Sequence, residues 1–164
     1  MKKFTIGLAL VGAVVLLVGI FLPWIHYQSG SIGGFSISYS LSGWDVFNKS
    51  GLETAAAQLS SDNHALIVFI AAIVMLLCAL AALVLSLKSK GGGGGIVALD
   101  IIISLAAVLA IGGLIWFLVD LSSVINWSDY IGAGMYVCFV GVVLGLVGGI
   151  LTSAGGMLAS VKGN

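Results

Sequence analysis

Apolar positions in this chain gather into four long stretches, and polar positions collect between them. Residues 4–22, 65–87 and 130–161 hold no charged side chain, and residues 96–119 hold only Asp100. A helix needs about 20 apolar residues to cross a bilayer. The pattern therefore predicts four spanning helices, at about residues 4–22, 65–87, 96–119 and 131–160. The fourth stretch would reach about 45 Å as one helix, so it is expected to tilt, bend at a glycine or project beyond the hydrocarbon.

Between the first two stretches, at residues 23–63, the period changes. Phe35, Ile37, Tyr39 and Leu41 alternate with Ser36, Ser38, Ser40 and Ser42, the two-residue repeat of a half-buried strand. An unpaired strand exposes backbone groups, so a partner is required. Trp24 to Gly30 is the nearest candidate, with Gly33-Gly34 supplying hairpin turn chemistry. Two strands alone are marginal in water, so the hairpin is expected to rest on the helix ends. A short helix is expected around Leu52–Leu59, with Ser50 as its cap and Glu53 three residues on.

Composition agrees with the pattern. The 164 residues are 60% hydrophobic and 7% charged, where a soluble domain averages about a quarter charged. Mean hydropathy is +1.25. The expected fold class is an all-α membrane protein: one domain spanning residues 1–164, a four-transmembrane-helix bundle with a small extracellular β-hairpin cap. Lys2 and Lys3 before an apolar run resemble a signal peptide, but Pro23-Trp24-Ile25-His26 is no small-residue cleavage site, so the run reads as a retained first helix.

Lysine placement gives an orientation. Lys2, Lys3, Lys88, Lys90 and Lys162 fall on one side of the four spans, and only Lys49 on the other. The positive-inside rule makes the first side cytoplasmic and puts both termini there. Asp45, Glu53, Asp62, Asp120 and Asp129 lie outside or at the outer edge. The expected location is the cell membrane. A net charge of zero gives no hint of nucleic acid as a partner. The inner loop, residues 88–95, ends in five glycines, a flexible tether without the GxxxxGK[ST] of a phosphate-binding loop.

Trp24 directly follows the first span, and Gly43-Trp44 closes the strand twenty residues later. With four spans, a long first outer loop and a short second one, this Trp…Gly-Trp pattern resembles the claudin-like tetraspan superfamily, whose signature is W…GLW in a β-structured first extracellular segment. Gly43-Trp44 matches part of GLW, and the family's paired loop cysteines are missing. The resemblance covers the whole topology but very few residues.

Candidate chemistry is sparse. Gly141, Gly145 and Gly149 form two overlapping GxxxG motifs, widened by Gly134, Gly148, Gly155 and Gly156. Such a face admits a second helix at close range, either from this chain or from another subunit. Asp100 is the one acid within a span, a candidate proton or cation site with Ser104 one turn away. Its position four residues past Ile96 favours snorkelling or pairing with Lys88 or Lys90. His26 and His64 flank the cap and, with Asp62 or Asp45, could ligate Zn²⁺ or Cu²⁺; an interfacial role is commoner, and no metal or other cofactor is expected. Cys78 and Cys138 lie deep in apolar runs as small buried hydrophobes. No serine sits in GxSxG or SxxK, so catalysis is not expected. Asn48-Lys49-Ser50 and Asn126-Trp127-Ser128 fit the N-x-S acceptor pattern.

The resulting expectation is a non-enzymatic membrane protein of assembly or adhesion, a homo-oligomer or accessory subunit embedded in the lipid bilayer. Its contacts would be Trp44, Asp45 and Phe47 of the cap and Gly141, Gly145 and Gly149 of the fourth helix. A small oligomeric channel lined by Asp100 and a metal-responsive sensor are the other readings.

Overall fold

The computed structural model describes residues 2–28, 38–48, 64–88, 94–124 and 131–162. In chain order these form α1 (Lys2–Phe21), β1 (Pro23–Gln28), β2 (Ser38–Ser42), α2 (Gly43–Asn48), α3 (His64–Lys88), α4 (Gly94–Val124) and α5 (Ala133–Lys162). Four of the helices carry windows long and apolar enough to cross a membrane: Phe4–Phe21, His64–Lys88, Gly95–Ser122 and Ala133–Ala154. Only 33–39% of each window is buried within the chain, so most side chains of every span are at least partly exposed. Val14, Leu77, Leu105 and Val143 are among the exposed ones. In water such a surface would drive aggregation; in a bilayer it is matched to its solvent. The protein is a multi-pass membrane protein with tetraspan topology.

The bundle closes as a ring. α1 packs most extensively on α5, α5 on α4, α4 on α3, and α3 back on α1. Small residues line the inner seams (Ala9, Ala13, Ala72, Ala79, Ala107 and Ala110 are all buried), and Met75, Ile103, Leu114 and Phe117 fill the space between them. Apolar packing between membrane helices has no hydrophobic driving force, so close backbone approach over small side chains supplies the attraction. α5 runs unbroken for 30 residues, about 45 Å. α4 is longer than its apolar run suggests, continuing past 119 to Val124.

At one end the chain builds a cap. β1 and β2 pair antiparallel, with Ile25 opposite Leu41, His26 opposite Ser40 and Tyr27 opposite Tyr39. The register slips between Pro23 and Ile25, so two residues of β1 stand against one of β2. Such a bulge turns consecutive side chains the same way, and Trp24 and Ile25 are indeed both buried. The bulge also frees the Trp24 carbonyl, which accepts the Gly132 amide at 2.8 Å, and Ile131 bridges to Ile25. The segment leading into α5 thereby joins the sheet. The hairpin rests on the helix ends as its instability in isolation requires. The Gly33-Gly34 turn, the helix around Leu52–Leu59 with Ser50 and Glu53, and the acceptor serines Ser50 and Ser128 lie outside the described residues.

Candidate functional site

Three places in the described residues concentrate chemistry. The first is the junction of cap and bundle. α1 stops at Phe21 because Pro23 cannot continue a helix, and its last turn leaves carbonyls without intrahelical donors. The Trp24 indole N–H donates to one of these, the Gly19 carbonyl, at 3.0 Å. The ring is wholly buried, meets Phe117 edge-on at 5.2 Å and lies flat beside Gly43, where a Cβ would come closer than 3.0 Å to its atoms.

Ser42-Gly43-Trp44-Asp45 then starts α2. The Asp45 amide donates to Ser42 Oγ at 3.1 Å, and Asp45 Oδ2 accepts the Ser42 amide at 3.0 Å and the Ser42 hydroxyl at 2.7 Å. This is a reciprocal capping box, with the acid three residues after the serine. Trp44 stacks between Phe21 of α1, at 5.7 Å, and Phe69 of α3, at 5.6 Å. Trp44 and Asp45, expected as partner contacts, thus bind this chain's own helices and cap, while each remains partly exposed. Phe47 lies on α2, but its side chain is outside the described part.

The second place is the cap end of α3 and α4. His64 Nε2 and Asp120 Oδ2 are hydrogen-bonded, and the imidazole also lies against Trp116 at 4.6 Å. His64 is 1% exposed, whereas the Asp120 side chain is 31% exposed. The sequence offers His64 only Asp45 or Asp62 as neighbours and sets Asp120 at the outer edge of its span. The two partners stand 56 positions apart and α4 continues past 119, so spacing alone does not announce the pairing. His26 is elsewhere, on the exposed face of the hairpin. Among the described residues no group of three His, Cys, Asp or Glu side chains is placed to hold a metal ion.

The third place is the opposite end of the bundle. Asp100 is fully buried, and neither carboxylate oxygen has a hydrogen-bond partner among the described residues. The expected snorkelling does not occur. The expected pairing with Lys88 does not form either, since Lys88 is exposed at the end of α3; Lys90 lies outside the described residues. Asp100 fails to snorkel because its side chain is turned toward the other helices.

The glycine series of α5 is also turned inward, where Gly141, Gly145 and Gly149 are all buried. A Cβ on Gly141 would strike the backbone of Leu16 and Gly12 in α1; on Gly145, the tip of Met75 in α3; on Gly149, Ser104 Oγ and the Asp100 carbonyl in α4. Of the two readings open for these motifs, the structure shows close contact with this chain's own helices. Cys138 belongs to the same seam: it is buried against α1, where a Cβ on Gly19 would meet it. Cys78, on α3, is half-buried and free.

No family model and no curated protein sequence matches this chain.

Proposed function

We propose that this protein is a non-enzymatic assembly or adhesion protein of the cell membrane, with both termini cytoplasmic and an extracellular cap presented to a partner. One observation carries the reading: among the described residues, the cap is fastened to the bundle at several points. Trp24 is sunk among α1, α4 and Gly43, Trp44 is wedged between α1 and α3, and Gly132 ties the entry of α5 to β1. Rigid elements lose little freedom on binding and so suit recognition. His26 and Ser40, opposite one another in the hairpin, are both exposed and mark the face offered to the partner. Trp44 and Asp45 follow that face directly in the chain.

The clustering of lysines at the terminal end supports the orientation. The direct contact of Trp24 with Gly43 supports kinship with claudin-like tetraspans, because it gives the Trp…Gly-Trp spacing a physical role. A channel lined by Asp100 between subunits finds no support, since the carboxylate is enclosed within one chain's bundle.

The test is the mass and composition of the complex extracted in native nanodiscs, for the wild type and for a variant with His26→Glu and Ser40→Arg. The expected result is an oligomer or heteromeric complex that the double variant weakens while its own thermal stability is kept. A wild type that is monomeric, or a complex indifferent to both changes, would refute the reading.

A further inference from the structure

The terminal end of the bundle holds a buried acid, Asp100, neither of whose carboxylate oxygens has a hydrogen-bond partner among the described residues. Gly149 on α5 abuts Ser104 and the Asp100 carbonyl on α4. The two helices are consecutive and antiparallel. One turn toward the termini from Ser104 is Asp100, and one turn the same way from Gly149 are Thr152 and Ser153. Asp100 and Thr152 are both buried, and the Gly149–Ser104 contact sets them at a similar depth in the bundle.

The hydroxyls of Ser104, Thr152 and Ser153 each spend their proton on their own helix. Ser104 donates to the Asp100 carbonyl at 2.9 Å, Thr152 to the Gly148 carbonyl at 2.8 Å and Ser153 to the Gly149 carbonyl at 2.9 Å. What remains are oxygen lone pairs and one carboxylate, which are acceptors only. An acceptor-only set of groups repels anions and suits a cation. Burial away from water makes an unpaired carboxylate costly, and acids inside membrane spans ordinarily find a partner.

We propose that Asp100, with the hydroxyl oxygens of Thr152 at its depth and of Ser104 one turn away, is a binding site for one monovalent cation, a proton or an alkali ion. A single positive charge is specified because Asp100 is the only acidic side chain at this end among the described residues. Asp120 stands twenty residues along α4, about 30 Å away, and is taken up by His64. A divalent ion would leave a net charge in the apolar interior. Ile6, Ala82 and Ile96 form a buried apolar cluster at the same end, and Ile96 is one turn from Asp100 toward the terminus of α4. A bound ion is thereby shielded from water on that side. The inference is independent of the assembly reading, since it concerns a single bundle.

The test uses the full chain in nanodiscs, as wild type, Asp100→Asn and Thr152→Val. Thermal unfolding is followed in LiCl, NaCl or KCl against N-methyl-D-glucamine chloride at equal ionic strength and fixed pH. Infrared spectra are taken in the carboxyl carbonyl region at neutral pH. An alkali site gives a saturable rise in melting temperature that Asp100→Asn abolishes and whose midpoint Thr152→Val weakens on the order of tenfold. A proton site gives no alkali effect but a protonated-carboxyl band that Asp100→Asn removes and Thr152→Val retains. A wild type with neither signal, or signals that persist in Asp100→Asn, overturns the proposal. Should Asp100→Asn fail to fold, the wild type and Thr152→Val still decide it.

Discussion

Gly43 lies flat against the indole of Trp24, so near that a Cβ at this position would fall within 3.0 Å of three ring atoms. Trp24 cannot retreat, because its N–H is committed to Gly19 and its other side meets Phe117. Gly43→Ala is therefore expected to overpack the junction and cost about 1–3 kcal/mol. Trp24→Ala, which empties the largest fully buried side chain among the described residues, should cost about 3–5 kcal/mol. Unfolding midpoints in a mild detergent check both. An unperturbed Gly43→Ala would mean that hairpin and bundle move independently.

The glycines of the bundle should rank by what faces them. Gly12→Ala and Gly141→Ala place a methyl against the backbone of the crossing helix, which cannot yield without separating α1 from α5. Each is expected to cost 2 kcal/mol or more, on the order of the upper range for overpacking. Gly145→Ala meets only the flexible end of Met75, and a mild loss of about 1 kcal/mol is expected, since methionine adapts readily. Gly112, on α4, has nothing within 4 Å. There alanine should be neutral or stabilise by up to about 1 kcal/mol through helix propensity. The same denaturation series resolves all four.

Asp45 closes a capping box, and this separates two roles for it. Asp45→Ala and Ser42→Ala should each cost about 1 kcal/mol in stability, and the double variant should cost less than the sum because the two side chains share their bonds. Additive losses, measured in a double-mutant cycle, would show that the box does not act as a unit.

Much of this architecture is legible in the sequence because it depends on period and length. Four apolar runs with one interruption at Asp100 are enough to place four helices, and the serine alternation places β2. The bulge is harder to see. Trp24 and Ile25 are adjacent apolar residues, and an alternating strand would put them on opposite faces. Only the three-dimensional junction with Phe117 and Gly43 shows why both turn inward. The GxxxG series announces a close helix contact, but its spacing carries no information on which helix arrives. Asp100 stands near the end of an apolar run, which suggests access to water, yet its rotation about the α4 axis aims it at the interior. Rotation of that kind is set by packing among all four helices, not by local pattern.

His64 and Asp120 tie α3 to α4 at the cap end, and the burial of the two partners is unequal. That asymmetry makes the consequences of substitution unequal as well. Asp120→Ala removes the acceptor of Nε2 while the imidazole stays buried, so its desolvation is no longer offset; a loss of about 1–3 kcal/mol is expected. His64→Leu removes the buried polar ring and leaves a carboxylate already one-third open to solvent, so it should cost less. In the double variant the penalty specific to Asp120→Ala disappears, and a coupling energy of about 1–3 kcal/mol should emerge from the cycle. Asp120→Asn retains an acceptor oxygen and is expected to fall between wild type and alanine. The measurement is chemical or thermal unfolding of the four corner proteins in one detergent, with Trp116 fluorescence reporting the local environment of the stacked ring. A coupling near zero would mean that apolar packing alone holds α3 against α4 and that the pair contributes nothing to the cap end.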